Sequence, residues 1–116
     1  MKYSKDHVWA KKEDQYFKLG ISSIGKKQIG EIVFVEFPNI GQIIKKDDVL
    51  CIVESSKSAS DIISPLSGKI VMVNEELKKN IEIINSSNEE KGWICIIDPS
   101  SPSQFDLMLS KDQYEK

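Results

Sequence analysis

Residues 49–65 read Val49-Leu50-Cys51-Ile52-Val53-Glu54-Ser55-Ser56-Lys57-Ser58-Ala59-Ser60-Asp61-Ile62-Ile63-Ser64-Pro65. An apolar run leads into a polar stretch rich in serine, and a second apolar run leads out of it toward a proline. Apolar blocks of this length on either side of small polar residues are typical of two antiparallel strands joined by a tight turn. The pattern predicts a hairpin that carries Lys57 at its exposed tip.

The rest of the chain repeats this pattern, with short apolar blocks separated by Gly, Pro, Asn and Asp and no long amphipathic stripe. Blocks of this length favour a strand-rich fold built from short elements. We predict strands at residues 7–11, 16–21, 32–37, 43–45, 49–54, 59–63, 69–73 and 93–97. The sequence therefore indicates a mainly β fold.

A short helix is predicted in the N-terminal half. Ser22 or Ser23 can accept hydrogen bonds from the first N–H groups of a helix that runs through Gln28. Gly30 is placed to end this helix in the left-handed conformation. Gly25 in its interior weakens helix formation by roughly 1 kcal/mol relative to Ala.

A second helix is predicted at the C-terminal end, beginning at Ser103. Ser103 and Asp106 resemble a capping arrangement, in which side chains satisfy the free N–H groups of the first turn. The predicted apolar face of this helix consists of Phe105, Leu107, Met108 and Leu109. Truncation of Leu107 or Leu109 is therefore expected to destabilise the fold.

The composition indicates one domain. With 116 residues, of which 40% are hydrophobic, the chain is long enough to bury a single core without metal or disulfide support. It carries 16 basic residues, all of them lysine, and 18 acidic residues, for a net charge of −2. Nucleic-acid recognition depends on clustered cations and on the guanidinium fork of arginine. The composition thus argues against a nucleic-acid-binding protein and against a large enzyme with a deep cleft.

The cysteine and histidine content disfavours metal sites and many catalytic mechanisms. Cys51 and Cys95 each lie in an apolar run without a neighbouring ligand, so we predict two buried free thiols. His7 is the single histidine, which sets aside most metal sites. A small enzyme is also disfavoured, because the chain has no glycine-rich phosphate loop and no convergent acid and base pair.

The sequence contains no predicted membrane segment. No apolar stretch approaches the roughly 20 residues needed to span a bilayer. Residues 1–7 lack the apolar run of a signal peptide. We therefore expect a cytoplasmic protein that does not bind membranes.

Lys57 has two interpretations when its turn is considered alone. A lysine in a serine-rich turn is ordinarily a solvated loop residue. Alternatively, the hairpin tip projects one primary amine clear of the body of the protein, where a modifying enzyme can reach it and a tethered group can swing. Ser56 and Ser58 are small and leave that amine unobstructed.

The motifs around this turn form a recognisable series. Downstream of residue 54 they are Glu54-Ser55-Ser56-Lys57-Ser58-Ala59-Ser60-Asp61, Ser64-Pro65-Leu66-Ser67-Gly68, Asn74, Ile84-Asn85-Ser86 and Gly92-Trp93. Upstream they are Lys2-Tyr3-Ser4, His7, Trp9, Gly20-Ile21-Ser22, Gly30, Val33-Phe34-Val35, Pro38 and Gly41. In order and spacing the series resembles the H proteins of the glycine cleavage system, over nearly the whole chain.

This resemblance implies a barrel-sandwich hybrid fold of the lipoyl-domain type, with residues 1–116 as a single lipoyl-carrier domain. It implies that lipoic acid is joined to Lys57 in amide linkage, as N6-lipoyllysine, and that the protein is a carrier rather than a catalyst. Glu54 and Asp61 flank the tip and are implied to assist recognition by the lipoylating enzyme or to place the cofactor arm. A plain solvated turn is the alternative for both acids.

The resemblance also implies a set of partners. Glycine decarboxylase would load the aminomethyl group of glycine, and aminomethyltransferase would pass the one-carbon unit to tetrahydrofolate. Dihydrolipoamide dehydrogenase would then reoxidise the dithiol. A lipoate ligase, or a lipoyl or octanoyl transferase, would modify Lys57. We expect the carrier to be a monomer.

The chain departs from the family pattern at four positions. Val8 stands where the family usually has Glu, which is credited with holding the loaded arm in its cleft. Ser56 replaces an apolar residue before the lysine, Gly25 replaces an Ala, and Ile81 stands where Pro is usual. The change at position 8 bears on protection of the loaded arm, and the other three bear on details of the fold.

Two other carrier functions compete with this interpretation. Val8 supports an H-like lipoyl relay protein that delivers lipoate to 2-oxo-acid dehydrogenases or acts in redox regulation. A biotin carrier shares the hairpin arrangement, but biotin acceptors bracket the lysine with Met, and here Ser56 and Ser58 stand in those places. The motifs favour the carrier of the glycine cleavage system.

Overall fold

Short strands with alternating side-chain directions build most of the molecule. The computed structural model describes residues 1–116. Its strands are β1 (Lys2–Tyr3), β2 (Val8–Glu13), β3 (Tyr16–Ile21), β4 (Ile32–Glu36), β5 (Ile43–Ile44), β6 (Val49–Ser55), β7 (Ala59–Ile63), β8 (Gly68–Val73) and β9 (Cys95–Pro99). The predicted mainly β fold is confirmed, and each predicted strand is present with its ends shifted by at most two residues.

The strands form two sheets in which every neighbouring pair is antiparallel. The larger sheet has six strands in the order β1-β2-β3-β9-β8-β5, and the smaller has three in the order β4-β6-β7. β1 was not predicted, because a two-residue strand leaves no periodic signal. The smaller sheet contains the hairpin of β6 and β7, with Lys57 between them.

A single cluster of 21 buried side chains from both sheets forms the core. Cys51 on β6 and Cys95 on β9 are buried in it as free thiols, which confirms the sequence prediction. Because side chains alternate along a strand, β2 directs Val8 and Ala10 into this cluster and Trp9 to the opposite face. Burial of both sheets against one core gives the hairpin a rigid base.

Trp9 is buried on the outer face of the larger sheet rather than in the main core. Gly20 lies opposite it on β3, and a Cβ at Gly20 would fall 2.6 Å from two atoms of the indole ring. A residue with a side chain therefore does not fit at position 20 without displacing Trp9. Trp93 is only partly buried, and its ring lies 5.3 Å from the Lys18 ammonium.

The predicted N-terminal helix is confirmed as α1 (Ser23–Ile29). The side chain of Ser22 accepts a hydrogen bond from the N–H of Gly25, and Gly30 follows the helix with φ at 91°. This φ lies in the left-handed half of the backbone map, where glycine is favoured. The two residues that bound the helix were both identified from the sequence.

Three short helical segments between β8 and β9 were not predicted. They are α2 (Glu75–Lys79) and two 3₁₀ helices at Ile81–Asn85 and Glu89–Gly92. Each begins after an asparagine whose side-chain oxygen accepts the N–H two residues later, and these asparagines are Asn74, Asn80 and Asn88. Asparagine is a favoured helix cap, so the repeated Asn-x-Glu pattern was an available signal.

The predicted C-terminal helix exists only as two single turns, α3 (Ser103–Asp106) and α4 (Lys111–Tyr114). The expected capping contact at Ser103 is absent, because Pro102 precedes the helix and no side chain caps it. The helix ends early because Leu109 exchanges two backbone hydrogen bonds of 2.8 Å with Tyr3. Leu107 is consequently 78% exposed, so its assignment to an apolar face was wrong, whereas Met108 is buried. No helix in the structure has the length and hydropathy needed to cross a bilayer.

Candidate functional site

The hairpin of β6 and β7 ends in a two-residue loop, Ser56 and Lys57. The backbone N–H of Ser55 donates to the carbonyl of Ser58 at 2.9 Å and closes the turn. Below it the strands pair in regular register, with Glu54 opposite Ala59 and Val53 opposite Ser60. Lys57 is exposed, as are both of its neighbours. The tip predicted from the sequence thus lies outside the packed body of the protein.

Ser55 organises the tip, and sequence reasoning missed this role. Its hydroxyl oxygen accepts the N–H of Lys57 at 3.2 Å and the N–H of Ser58 at 3.3 Å. It also lies 3.3 Å from the carbonyl oxygen of Ser58, to which it can donate. Ser55 is buried while the loop residues are exposed. A serine two residues before a turn position is a known turn-forming signal, and it was present in the quoted stretch.

The side chain of Lys57 has no polar partner. Its ammonium makes no hydrogen bond and belongs to none of the four ion pairs in the structure. None of the strands of the smaller sheet contains a lysine, so Lys57 is the one amine on this hairpin. An unpaired exposed amine on a rigid hairpin is accessible to an incoming acyl donor.

Carboxylates surround the base of the tip on the outer face of the smaller sheet. Residues directly opposite in an antiparallel pair share a face, so Phe34, Glu54 and Ala59 form one row across the sheet. Glu36, Ile52 and Asp61 form the next row. The structure therefore brings Glu54 and Asp61 to the same face, with their Cα atoms roughly 7 to 8 Å apart by sheet geometry.

An exposed apolar surface borders these carboxylates. Phe34 is 52% exposed beside Glu54, and Val33 is exposed next to it at a bulge in β4. Contiguous exposed apolar side chains, unlike single ones, mark surfaces where other groups bind. The strand pattern at residues 32–37 does not predict this exposure, because alternation within one strand does not show which face another element covers.

Val8 contributes no polar group to the surface. It is fully buried in the core. His7, before it, has a positive φ of 68° and forms a hydrogen bond to the hydroxyl of Tyr114. That hydroxyl lies 2.6 Å from the hydroxyl of Ser22, so the single histidine is engaged in a structural contact between α4 and the start of α1.

The two thiols do not provide a nucleophile at neutral pH. Burial raises the pKa of the Cys95 thiol to about 12. Burial also raises the pKa of Cys51, and proximity to Cys95 adds to this effect. Both groups therefore stay protonated and enclosed. No group of three His, Cys, Asp or Glu side chains is arranged to hold a metal ion.

Two antiparallel sheets packed around one core, with a tight hairpin in the smaller sheet, form a fold of the barrel-sandwich hybrid class. A sequence model described as glycine cleavage H-protein matches residues 1–116. The glycine cleavage system H protein of Coprothermobacter proteolyticus is 45% identical over 117 aligned positions, which cover 100% of this chain and 92% of that protein. The chain belongs to the glycine cleavage H-protein family.

Two further similarities agree with this assignment. The glycine cleavage system H protein of Halalkalibacterium halodurans is 40% identical over 116 residues, covering 100% of this chain and 91% of that protein. The crystal structure of a glycine cleavage system H protein from Mycobacterium marinum superposes with a TM-score of 0.82 at 28% identity. It covers 97% of this chain and 91% of the other.

Proposed function

We propose that residues 1–116 form a single carrier domain that holds lipoic acid on Lys57 and shuttles the aminomethyl group of glycine between enzymes. The observation that carries this proposal is the unpaired, exposed lysine in the two-residue loop between β6 and β7. The hairpin tip can accommodate a lipoyl group on Lys57, because Ser56 and Ser58 are small and exposed and leave space around the amine. The protein acts as a carrier and performs no catalysis itself.

Amide formation at Lys57 changes both the reach and the charge of the tip. The lysine side chain and a lipoyl group together form an arm on the order of 14 Å long when extended, from ordinary bond lengths. Acylation removes the ammonium charge, so the arm can lie against apolar surface without desolvation of a cation. Phe34 and Val33 provide exposed apolar surface on the same sheet.

The protein's own residues determine how the arm is presented. Ser55 orders the loop, and the sheet below it fixes the direction of the tip. Glu54 and Asp61 place negative charge on the face beside it, which favours an approaching cation such as a protonated amine. We assign both acids to recognition by the lipoylating enzyme and to placement of the arm.

The cargo and partners follow from the family. Lys57 would hold the lipoyl group, whose disulfide would supply reductive uptake of the aminomethyl group from glycine decarboxylase. The dithiol left after aminomethyltransferase removes the one-carbon unit would be the substrate of dihydrolipoamide dehydrogenase. A lipoate ligase, or a lipoyl or octanoyl transferase, attaches the lipoyl group to Lys57. The same small domain serves each enzyme in turn because the arm extends beyond its surface.

Incubation of the unmodified protein with purified lipoate ligase, ATP and lipoate tests the attachment site. Intact mass should increase by one lipoyl group in the wild type. Lys57→Arg should fold normally, because the tip contributes no side chain to the core, and should show no increase. Lys69→Arg, at another exposed lysine on β8, is the matched control and should be modified like the wild type. A mass increase that persists in Lys57→Arg would contradict the proposal.

A lipoyl relay function is favoured by one observation, the apolar Val8 at a position where the family usually has Glu. Incubation of the lipoylated protein with glycine decarboxylase and labelled glycine distinguishes the two functions. Transfer of label to the protein supports the glycine cleavage carrier. Efficient lipoyl transfer to a 2-oxo-acid dehydrogenase without such labelling supports the relay.

A further inference from the structure

The two sheets have four edges, and three of them are either very short or partly blocked by another segment. β1 is covered by Leu109, which exchanges two backbone hydrogen bonds with Tyr3. β4 is blocked at its first residue by the side-chain amide of Asn85, which accepts the N–H of Ile32 at 3.0 Å and donates to its carbonyl at 2.9 Å. β5 has only two residues. Proteins commonly block sheet edges in such ways, because open edges recruit other strands.

The fourth edge, β7, is open. Since Ser55 and Ser58 form a hydrogen-bonded pair, alternation along the antiparallel ladder makes Glu54–Ala59 and Ile52–Asp61 non-hydrogen-bonded pairs. The N–H and C=O groups of Ala59 and Asp61 therefore point away from β6, toward the free edge. No hydrogen bond in the structure reaches these groups from another segment. β7 is five residues long and has no proline or lysine.

The open edge begins next to Lys57. Ala59 lies two residues after it and is exposed, and Asp61 is exposed four residues after it. Before acylation the amine reaches only about 6 Å from its Cα, so the enzyme that acylates it must contact the hairpin itself. Enzymes that act on the finished arm meet its sulfurs well beyond the hairpin and need no such contact. The position of the edge thus favours the acylating enzyme as its partner.

The charge beside the edge specifies the chemistry of that partner. The outer face of the smaller sheet carries Glu36, Glu54 and Asp61 and no lysine on any strand. A binding segment with basic side chains on the same face gains complementary charge. Strand addition supplies affinity through main-chain hydrogen bonds, and the side chains supply specificity.

We propose that the open edge of β7 is the docking site for an extended, basic segment of the enzyme that acylates Lys57. The segment adds a strand to the smaller sheet through the N–H and C=O groups of Ala59 and Asp61, and so fixes the register of the hairpin in the active site. The amide bond then forms between Nζ and the activated acyl carbon as the donor's leaving group departs and the amine releases a proton. This inference rests on the proposed lipoylation of Lys57.

Ala59→Pro tests the edge, because proline removes one outward N–H and leaves the bonds to β6 in place. Ala59→Val is the matched control, since valine keeps the N–H and suits a strand. With purified lipoate ligase, ATP and lipoate, we expect kcat/KM for the proline variant to fall about tenfold, the value of one intermolecular hydrogen bond. The valine variant keeps the outward N–H, so its kcat/KM should fall clearly less than that of the proline variant. Equal rates for both variants would overturn the inference.

Amide hydrogen exchange gives a second measurement that does not depend on the proline variant folding. In the Lys57→Arg protein, saturating ligase should slow exchange at Ala59 and Asp61. Unchanged exchange at these two amides in a demonstrated complex would contradict strand addition. Slowing that grows with the concentration of the carrier alone would assign the edge to a second copy of this chain and also overturn the inference. If wild-type protein gains no lipoyl mass, the proposed function fails rather than the docking site.

Discussion

At the residue scale, Ser55 shows how one buried hydroxyl orders an exposed loop. Two exposed residues that make no side-chain contact would ordinarily sample many conformations. The Ser55 hydroxyl holds the N–H groups of Lys57 and Ser58, so the backbone of the loop is fixed while the lysine side chain stays free. A rigid backbone under a mobile side chain is the arrangement that a modifying enzyme can bind in one register.

We predict that Ser55→Ala loosens the tip at a small cost in stability. The variant leaves the N–H groups of Lys57 and Ser58 to water, and the free energy of unfolding should fall by about 0.5 to 1.5 kcal/mol, the net value of a hydrogen bond. Urea denaturation measures this change, and amide exchange should accelerate at Lys57 and Ser58. Ser58→Ala is the control, because its exposed hydroxyl makes no hydrogen bond. Equal behaviour of the two variants would show that the Ser55 hydroxyl has no ordering role.

At the element scale, the C-terminal segment is attached to the sheets by a few contacts rather than by a continuous helix. Leu109 pairs with β1, Met108 enters the core, and Phe105 packs on Phe17 with ring centroids 4.7 Å apart. Leu107 lies between these anchors and faces solvent. The stability of this segment therefore depends on the residues that point inward, which differ from those expected of a helix.

We predict opposite results for two neighbouring truncations in this segment. Met108→Ala removes a side chain that is 9% exposed and should lower the free energy of unfolding by about 2 to 4 kcal/mol. Leu107→Ala, at a side chain that is 78% exposed, should change it by less than about 0.5 kcal/mol. Thermal and urea denaturation of both variants measure the difference. If Leu107→Ala lowered the free energy of unfolding more than Met108→Ala, the result would contradict this arrangement and support the continuous helix predicted from the sequence.

Features that neighbouring residues determine could be predicted from the sequence, whereas features that depend on distant residues could not. The hairpin at residues 49–63 and the helix after Ser22 were predictable, because turn residues and a helix cap determine them within a few positions. The C-terminal helix was not, because the pairing of Leu109 with Tyr3 joins residues more than a hundred positions apart. Strand pairing between distant segments overrides local helix preference.

The candidate site was likewise predictable only where neighbouring residues determine it. Lys57 and the two flanking acids follow from the hairpin pattern and the resemblance. The exposure of Phe34 and the pairing of Asn85 with Ile32 depend on which strands lie at sheet edges, and strand order is a property of the whole fold. No periodicity within one strand reports this order.

At the scale of the whole molecule, the core joins two sheets and encloses two thiols. Cys51 comes from the smaller sheet and Cys95 from the larger, and burial raises the pKa of both from a reference value of 9.0. A group whose pKa is raised by folding stabilises the native state below its unfolded pKa. That contribution is lost as the pH rises toward the folded value. The core should therefore weaken in alkaline solution.

We predict that the free energy of unfolding falls between pH 9 and 10, and that the fall is smaller in Cys95→Ala. Each buried thiol contributes a slope of up to about 1.4 kcal/mol per pH unit in this range. Urea denaturation at several pH values measures the slope. Burial lowers the pKa of Lys26, so this residue makes stability rise with pH. Its contribution is the same in wild type and in Cys95→Ala and cancels in the comparison. Identical slopes in wild type and variant would show that Cys95 does not titrate as a buried thiol.

The separation of the hairpin tip from the core has a consequence for natural selection. Ser56, Lys57 and Ser58 contribute no side chain to the buried cluster, so changes at the two serines leave folding almost untouched. Under the proposed function, variation there is filtered by recognition alone, whereas variation in the buried face of β6 is filtered by packing. A lineage can thus readjust the tip to a changing partner enzyme while its fold stays the same.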